Sequence, residues 1–256
     1  MLSFTEFGDH TPTAENPALL IVHGLYGSGR NWGVIARRLG DSRRVVTLDM
    51  RNHGHSPRAP SHSYPDMAED LAELIEHLGG PVDLCGHSMG GKAAMALALL
   101  HPEKLRKLIV ADIAPVAYSH DQQQFIDAMR RVDLSTLTRR SEAESQLAEA
   151  GVDRSLQSFF TQSLDVTNRQ WRLNLNVLDA EMDKIIGWPE TLVGSFSGPT
   201  LFLSGAESEY VLPEHRDRIK SLFPTARFAK LPGAGHWLHA EKPREFEAAL
   251  RTFLDA

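Results

Sequence analysis

The stretch Gly86-His87-Ser88-Met89-Gly90 restricts what this 256-residue chain can fold into more than any other. A serine at the corner where a strand turns sharply into a helix must adopt a strained backbone. The residues two before and two after it must be small, or the turn collides with the neighbouring strand and helix. The flanks fit that context. Residues 81–85 read as a short apolar strand, and residues 91–100 as an apolar helix that stops at Pro102. Small residues also gather in ordinary glycine-rich turns, and the order strand, corner, helix separates the two readings. The sequence therefore predicts Ser88 as a nucleophile presented on an elbow.

Around the elbow, apolar runs alternate with amphipathic stretches. Strands are predicted at 18–22, 44–48 and 105–111, and helices at 32–39 and 66–78, the latter with Leu71, Leu74, Ile75 and Leu78 on one face. Such alternation implies right-handed crossovers and a mostly parallel sheet flanked by helices, an α/β fold. The rhythm breaks between 115 and 190, where helical spacing persists (Phe125, Ile126, Met129, Val132; Trp171, Leu175, Leu178) without a clear strand. It resumes with strands at 199–203 and 227–231 and helices at 213–222 and 243–254. The expected organisation is a core of 1–114 and 191–256 with a helical cap of 115–190, inserted at a strand's C-terminal end, where open α/β sheets bind ligands. The alternative is a packing subdomain that never meets substrate.

Composition narrows the function classes. With 42% hydrophobic and 23% charged residues a large core is expected, and disorder is not. A net charge of −6 and the lack of a basic run argue against nucleic acid and anionic membrane surfaces as partners. The single cysteine, Cys85, excludes an intrachain disulfide and reads as a buried hydrophobe inside the elbow strand. The N-terminus lacks the pattern of a signal peptide, and no apolar run approaches the ~20 residues of a transmembrane helix. The chain reads as soluble and cytoplasmic, with no transmembrane segment.

A serine hydroxyl is a weak nucleophile. It needs a base, an acid to orient the base, and donors for the oxyanion. The loop Gly233-Ala234-Gly235-His236-Trp237 follows the last strand, and its glycines let His236 return over the sheet edge as the base. The other histidines have more modest readings. His23 shapes the loop it opens, His87 points away from the pocket, His53 and His55 sit in a polar loop, and His239 is solvated or packs. His53 and His55 have no Cys or carboxylate partner at metal-site spacing, so neither metal nor cofactor is expected. The turn His23-Gly24-Leu25-Tyr26-Gly27 offers the Leu25 N–H to the oxyanion, and Met89, after the nucleophile, offers the second. The acid is the open point. Its usual turn reads Gly205-Ala206-Glu207-Ser208, with no aspartate. Asp112, at the end of the strand after the elbow helix, is the leading candidate, and Glu207 or Glu209 the alternative.

These residues together resemble the α/β-hydrolase superfamily over nearly the whole chain. The closer resemblance is to small YbfF-type bacterial esterases, which are related to mitochondrial α/β-hydrolase-domain-containing proteins. It is carried by residues 23–28, Asp49-Met50-Arg51-Asn52-His53-Gly54-His55-Ser56-Pro57, Gly86 to Lys92, residues 112–116, Ile186-Gly187-Trp188 and residues 235–243. Many superfamily members carry Gly where Asn52 stands and Asp where Ser208 stands, and the closer group shares the second departure. The resemblance implies a serine esterase acting through an acyl-serine on small esters, with acyl-CoA thioesters as a second small-molecule substrate class. Asp49 and Arg51 are expected to pair and hold their loop. Two rival readings remain: carbon–carbon cleavage or lyase chemistry on the same triad, and a non-catalytic small-ligand receptor. The region 115–190 holds twelve Asp and Glu against eight Lys and Arg, which lends no support to a basic clamp for CoA phosphates, although Arg130-Arg131 could act locally.

Overall fold

The computed structural model describes residues 1–119 and 122–256. His120 and Asp121, which fall in the expected cap, lie outside the described residues. In chain order the first part contains β1 (Phe4–Phe7), β2 (Leu19–Val22), α1 (Gly33–Leu39), β3 (Val45–Leu48), α2 (Tyr64–Leu78), β4 (Val82–His87), α3 (Met89–Leu100) and β5 (Leu105–Ala111). The region 115–190 contributes α4 (Gln123–Arg131), α5 (Arg140–Glu149), α6 (Arg154–Thr161), the hairpin β6 (Leu164–Asp165) and β7 (Gln170–Trp171), α7 (Leu175–Ala180) and α8 (Met182–Ile186). The chain closes with β8 (Thr200–Gly205), α9 (Arg216–Leu222), β9 (Arg227–Leu231), α10 (Leu238–Glu241) and α11 (Pro243–Leu254).

Side chains alternate across a strand, so a strand that is apolar at every position must be covered on both faces. That alternation divides the core. Leu19, Ile21, Cys85, Ile109 and Leu203 pack with residues of α1 and α11 on one face. Leu20, Val22, Leu84, Val110 and Phe202 pack with α2, α3 and α9 on the other. Full burial pushes the Cys85 thiol up to about 12, which makes it an inert packing group. The sheet has seven strands in the order β1-β3-β2-β4-β5-β8-β9. All neighbours are parallel except β1, which runs antiparallel to β3 with Phe4 opposite Leu48. This is the mostly parallel, helix-flanked α/β sheet that the alternation implies.

Three local outcomes differ from expectation. β1 was not anticipated: its Phe-Thr-Glu-Phe sequence is half-exposed at the sheet edge and carries little apolar signal. The helix expected at 32–39 opens with a 3₁₀ turn at Gly29–Trp32. The stretch 115–190, expected to lack strands, holds the two-residue strands of β6 and β7, too short to show a period of two. That stretch closes on itself where Tyr118 N–H donates to Ile186 C=O (3.0 Å), and it is tied to the rest of the molecule where Asn174 N–H donates to Asn52 C=O (2.9 Å). Among the described residues no helix is long and apolar enough to cross a membrane.

Candidate active site

The corner between β4 and α3 is as tight as its glycines require. Ser88 has φ 53° and ψ −121°, a conformation that costs a non-glycine residue about 1–3 kcal/mol. It is held by Ser88 N–H donating to Ala111 C=O (3.0 Å) and by Lys92 N–H donating to Ser88 C=O (3.1 Å). A Cβ on Gly90 would lie 2.5 Å from the His23 carbonyl oxygen, and one on Gly86 would overlap the Gly90 carbonyl. Backbone therefore touches backbone on both sides of the serine, and only glycine fits.

Three side chains from three sheet ends form one line. His236 Nε2 lies 3.1 Å from Ser88 Oγ, and His236 Nδ1 lies 2.7 Å from Asp112 Oδ2. A carboxylate can only accept, so Nδ1 carries the proton and Nε2 is left as acceptor for the hydroxyl. Asp112 is fully buried and has φ 52°, which turns its side chain off the end of β5 toward β8. Gly205 N–H donates to its Oδ1 (3.0 Å), and Ser208 Oγ donates to its Oδ2 (2.5 Å). The residue that stands where an aspartate is usual thus hydrogen-bonds the carboxylate that has moved to the neighbouring strand end. Glu207 and Glu209 are exposed, and the histidine's bond goes to Asp112. Such a line can draw the proton from Ser88 as the hydroxyl attacks and stabilise the resulting imidazolium.

The turn after β2 is shaped from below. Gly27 N–H closes onto Gly24 C=O (3.0 Å), and Tyr26 takes φ 65°. Tyr26 N–H is diverted into the protein, donating to His53 Nε2 (3.2 Å), whose Nδ1–H in turn donates to Arg51 C=O (2.9 Å). The Leu25 N–H makes no backbone hydrogen bond among the described residues, and Leu25 lines the same cavity as Ser88. Met89 opens α3, where an N–H has no partner inside the helix. Both residues line the same cavity as Ser88.

That cavity, of about 250 Å³, has mostly apolar walls. Phe125, Leu156, Phe159 and Ile186 come from the region 115–190, and Trp237 from the loop that carries His236. One cation reaches it. Lys92, one helical turn after Ser88 and buried, donates from Nζ to the carbonyls of Ile186 (2.8 Å) and Gly187 (2.5 Å) and sits 4.8 Å from the centre of the Tyr118 ring. Burial lowers its amine to about 7. A lysine within an otherwise apolar helix marks this position in the sequence. Tyr210, whose ring stacks on His236, has no such signal.

Two histidines and one ion pair fall elsewhere than expected. His87 does not point away. Its ring lies beside His236 at the cavity edge, and its Nε2–H donates to the His236 carbonyl (2.8 Å). The loop after β9 folds back over it. His53 is buried rather than in a polar loop, because the turn around Tyr26 needs its acceptor. His239 packs face to face on Trp32, with ring centres 4.2 Å apart. His23 does shape its loop, with Nδ1–H donating to Gly24 C=O (2.8 Å) and Nε2 accepting from Met50 N–H (2.9 Å). Asp49 and Arg51 do not pair. Asp49 turns inward to accept N–H bonds from Gly29 and His55 (2.8 Å each), while Arg51 reaches α2 and pairs with Asp70 (2.5 Å). Among the described residues no cluster of three metal-ligating side chains occurs.

A doubly covered parallel sheet, a strained serine at a strand-to-helix corner and a histidine returning from the last strand define a hydrolase of the α/β class. The chain belongs to the α/β-hydrolase-fold family, whose model matches residues 17–243. It is 41% identical over 249 residues to the sn-1-specific diacylglycerol lipase ABHD11 of Mus musculus, covering 93% of this chain and 81% of that protein. It is 38% identical to esterase YbfF of Escherichia coli (strain K12), covering 94% of each. A solved structure titled "Marine microorganism esterase" superposes with a TM-score of 0.92 at 37% identity, covering 98% of both chains.

Proposed function

We propose that this protein is a carboxylic-ester hydrolase acting through an acyl-serine. Ser88 Oγ attacks the ester carbonyl carbon while its proton passes to His236 Nε2, and Asp112 holds the imidazole and balances its charge. The N–H groups of Leu25 and Met89 receive the oxyanion. Collapse of the tetrahedral adduct expels the alcohol, which takes the proton from His236. Water activated by the same imidazole then releases the acid. The residues 115–190 act as a cap that supplies the walls of the acyl site. The observation that carries this reading is the Asp112–His236–Ser88 line, with separations of 2.7 and 3.1 Å, opening onto an apolar cavity.

Esters of apolar acids fit that cavity better than CoA thioesters do. Arg130, which could have met CoA phosphates, is paired with Asp179 (2.5 Å), and the region 115–190 carries an excess of acidic residues. Short p-nitrophenyl esters and a fluorophosphonate probe test the proposal. The native protein should hydrolyse the esters and be labelled once, on Ser88. No labelling would favour a receptor. Labelling without hydrolysis across a panel of esters would favour carbon–carbon or lyase chemistry.

A further inference from the structure

The ring of Tyr210 lies nearly parallel to that of His236, with centres 4.0 Å apart and planes 21° apart. Its position is not left to chance. Tyr210 N–H donates to Ser208 Oγ (3.2 Å), and Tyr210 C=O accepts from Tyr118 Oη (2.7 Å). The serine that hydrogen-bonds Asp112 thus also anchors the backbone that carries the stacked ring. We propose that Tyr210 is a positioning residue of the reaction, whose aromatic face stabilises the imidazolium of His236 as Ser88 attacks.

A cation over an aromatic face is attracted to the negative side of the ring, most strongly where water is excluded. A neutral imidazole gains less, so the stack favours the charged form that arises only after proton transfer. The titratable groups around the imidazole do not supply this stabilisation. Asp112 acts along the ring edge through Nδ1. His87 on β4 and His239 on α10 are held neutral by burial, which lowers His87 well below the usual histidine range and His239 to about 3. The Tyr118 ring packs against Tyr210, with ring centres 5.1 Å apart.

The inference rests on His236 being the base. It is tested by kcat/KM from pH 5 to 9 on p-nitrophenyl acetate, with circular dichroism confirming the folded state at each pH. Tyr210→Phe keeps the aromatic face and should stay within about threefold of the native enzyme, its acid limb unmoved. Tyr210→Leu should lose roughly 3- to 30-fold in kcat and little in KM. Its acid limb should move to lower pH by about 0.5–1.5 units, since a less stabilised imidazolium gives up its proton more readily. Tyr210→Met serves the same purpose should the leucine variant fail to fold. A rate loss with an unmoved limb, a limb shifted to higher pH, or a phenylalanine variant as impaired as the leucine one would overturn this inference alone. A His236→Gln variant that keeps its activity would overturn the reading of the site and this inference with it.

Discussion

At the scale of single residues the site stands on a few atoms. Ser88→Ala removes the hydroxyl in line with His236 and should lower turnover by about 10⁶-fold, with the far-ultraviolet spectrum unchanged. More than a few per cent residual ester hydrolysis in a contaminant-free preparation would contradict Ser88 as the nucleophile. Asp112→Asn replaces an acceptor by an amide that can favour the wrong imidazole tautomer, and should cost up to ~10⁴ in kcat. Glu207→Gln and Glu209→Gln, whose side chains are exposed, should stay within a few-fold of native. The opposite ranking in the same ester assay would move the acid to the later turn and leave Ser88 and His236 in place. Ser88 and His236 were legible in sequence because each sits in a glycine-flanked turn that few other purposes require. The acid was legible only as a ranking, Asp112 ahead of Glu207 or Glu209, since a carboxylate before a proline-containing turn looks the same whether it caps a loop or orients an imidazole.

At the scale of elements the elbow is the most constrained unit. Gly86→Ala or Gly90→Ala forces a methyl group into backbone, and overpacking of this kind costs about 1–3 kcal/mol. In a domain of this size that lowers the thermal midpoint by roughly 2–12 °C, and activity should fall with it, since Ser88 shifts when the corner opens. A scanning-calorimetry midpoint equal to native with full activity would show the corner to be more tolerant than its contacts imply. The buried parallel strands were readable because residues apolar on both faces give continuous runs. The edge strand β1 and the hairpin of β6 and β7 were not, since each owes its pairing to a partner rather than to its own pattern. Arg51 is a related case. Its partner Asp70 lies on α2, and only the crossover from β3 brings that helix within reach.

At the scale of the molecule, buried histidines set the response to acid. His23, His53, His62, His87 and His239 are all held below the ordinary histidine range, chiefly by burial, with His62 and His239 lowered to about 3. They fold neutral, whereas the unfolded chain protonates them near pH ~6.5. The unfolded state therefore binds more protons below that pH, and stability falls as pH falls, by up to about 1.4 kcal/mol per pH unit for each histidine. Urea denaturation should give a lower midpoint at pH 5.5 than at pH 7.5, and an equal or higher midpoint would contradict the assignment of these rings as neutral. The sequence by itself determined what is encoded locally: the alternation that builds a parallel sheet, the glycines that permit the Ser88 corner, and the loop that returns His236. Tertiary structure alone decided that Asp112, 124 residues before His236, is the carboxylate it meets, that Ser208 hydrogen-bonds that carboxylate, and that Tyr210 lies over the ring. The physical reason is adjacency. Steric and periodic constraints act between neighbours in the chain and leave a mark in its pattern, whereas the meeting of β5 with β8 is set by packing across the sheet, which no local run of residues records.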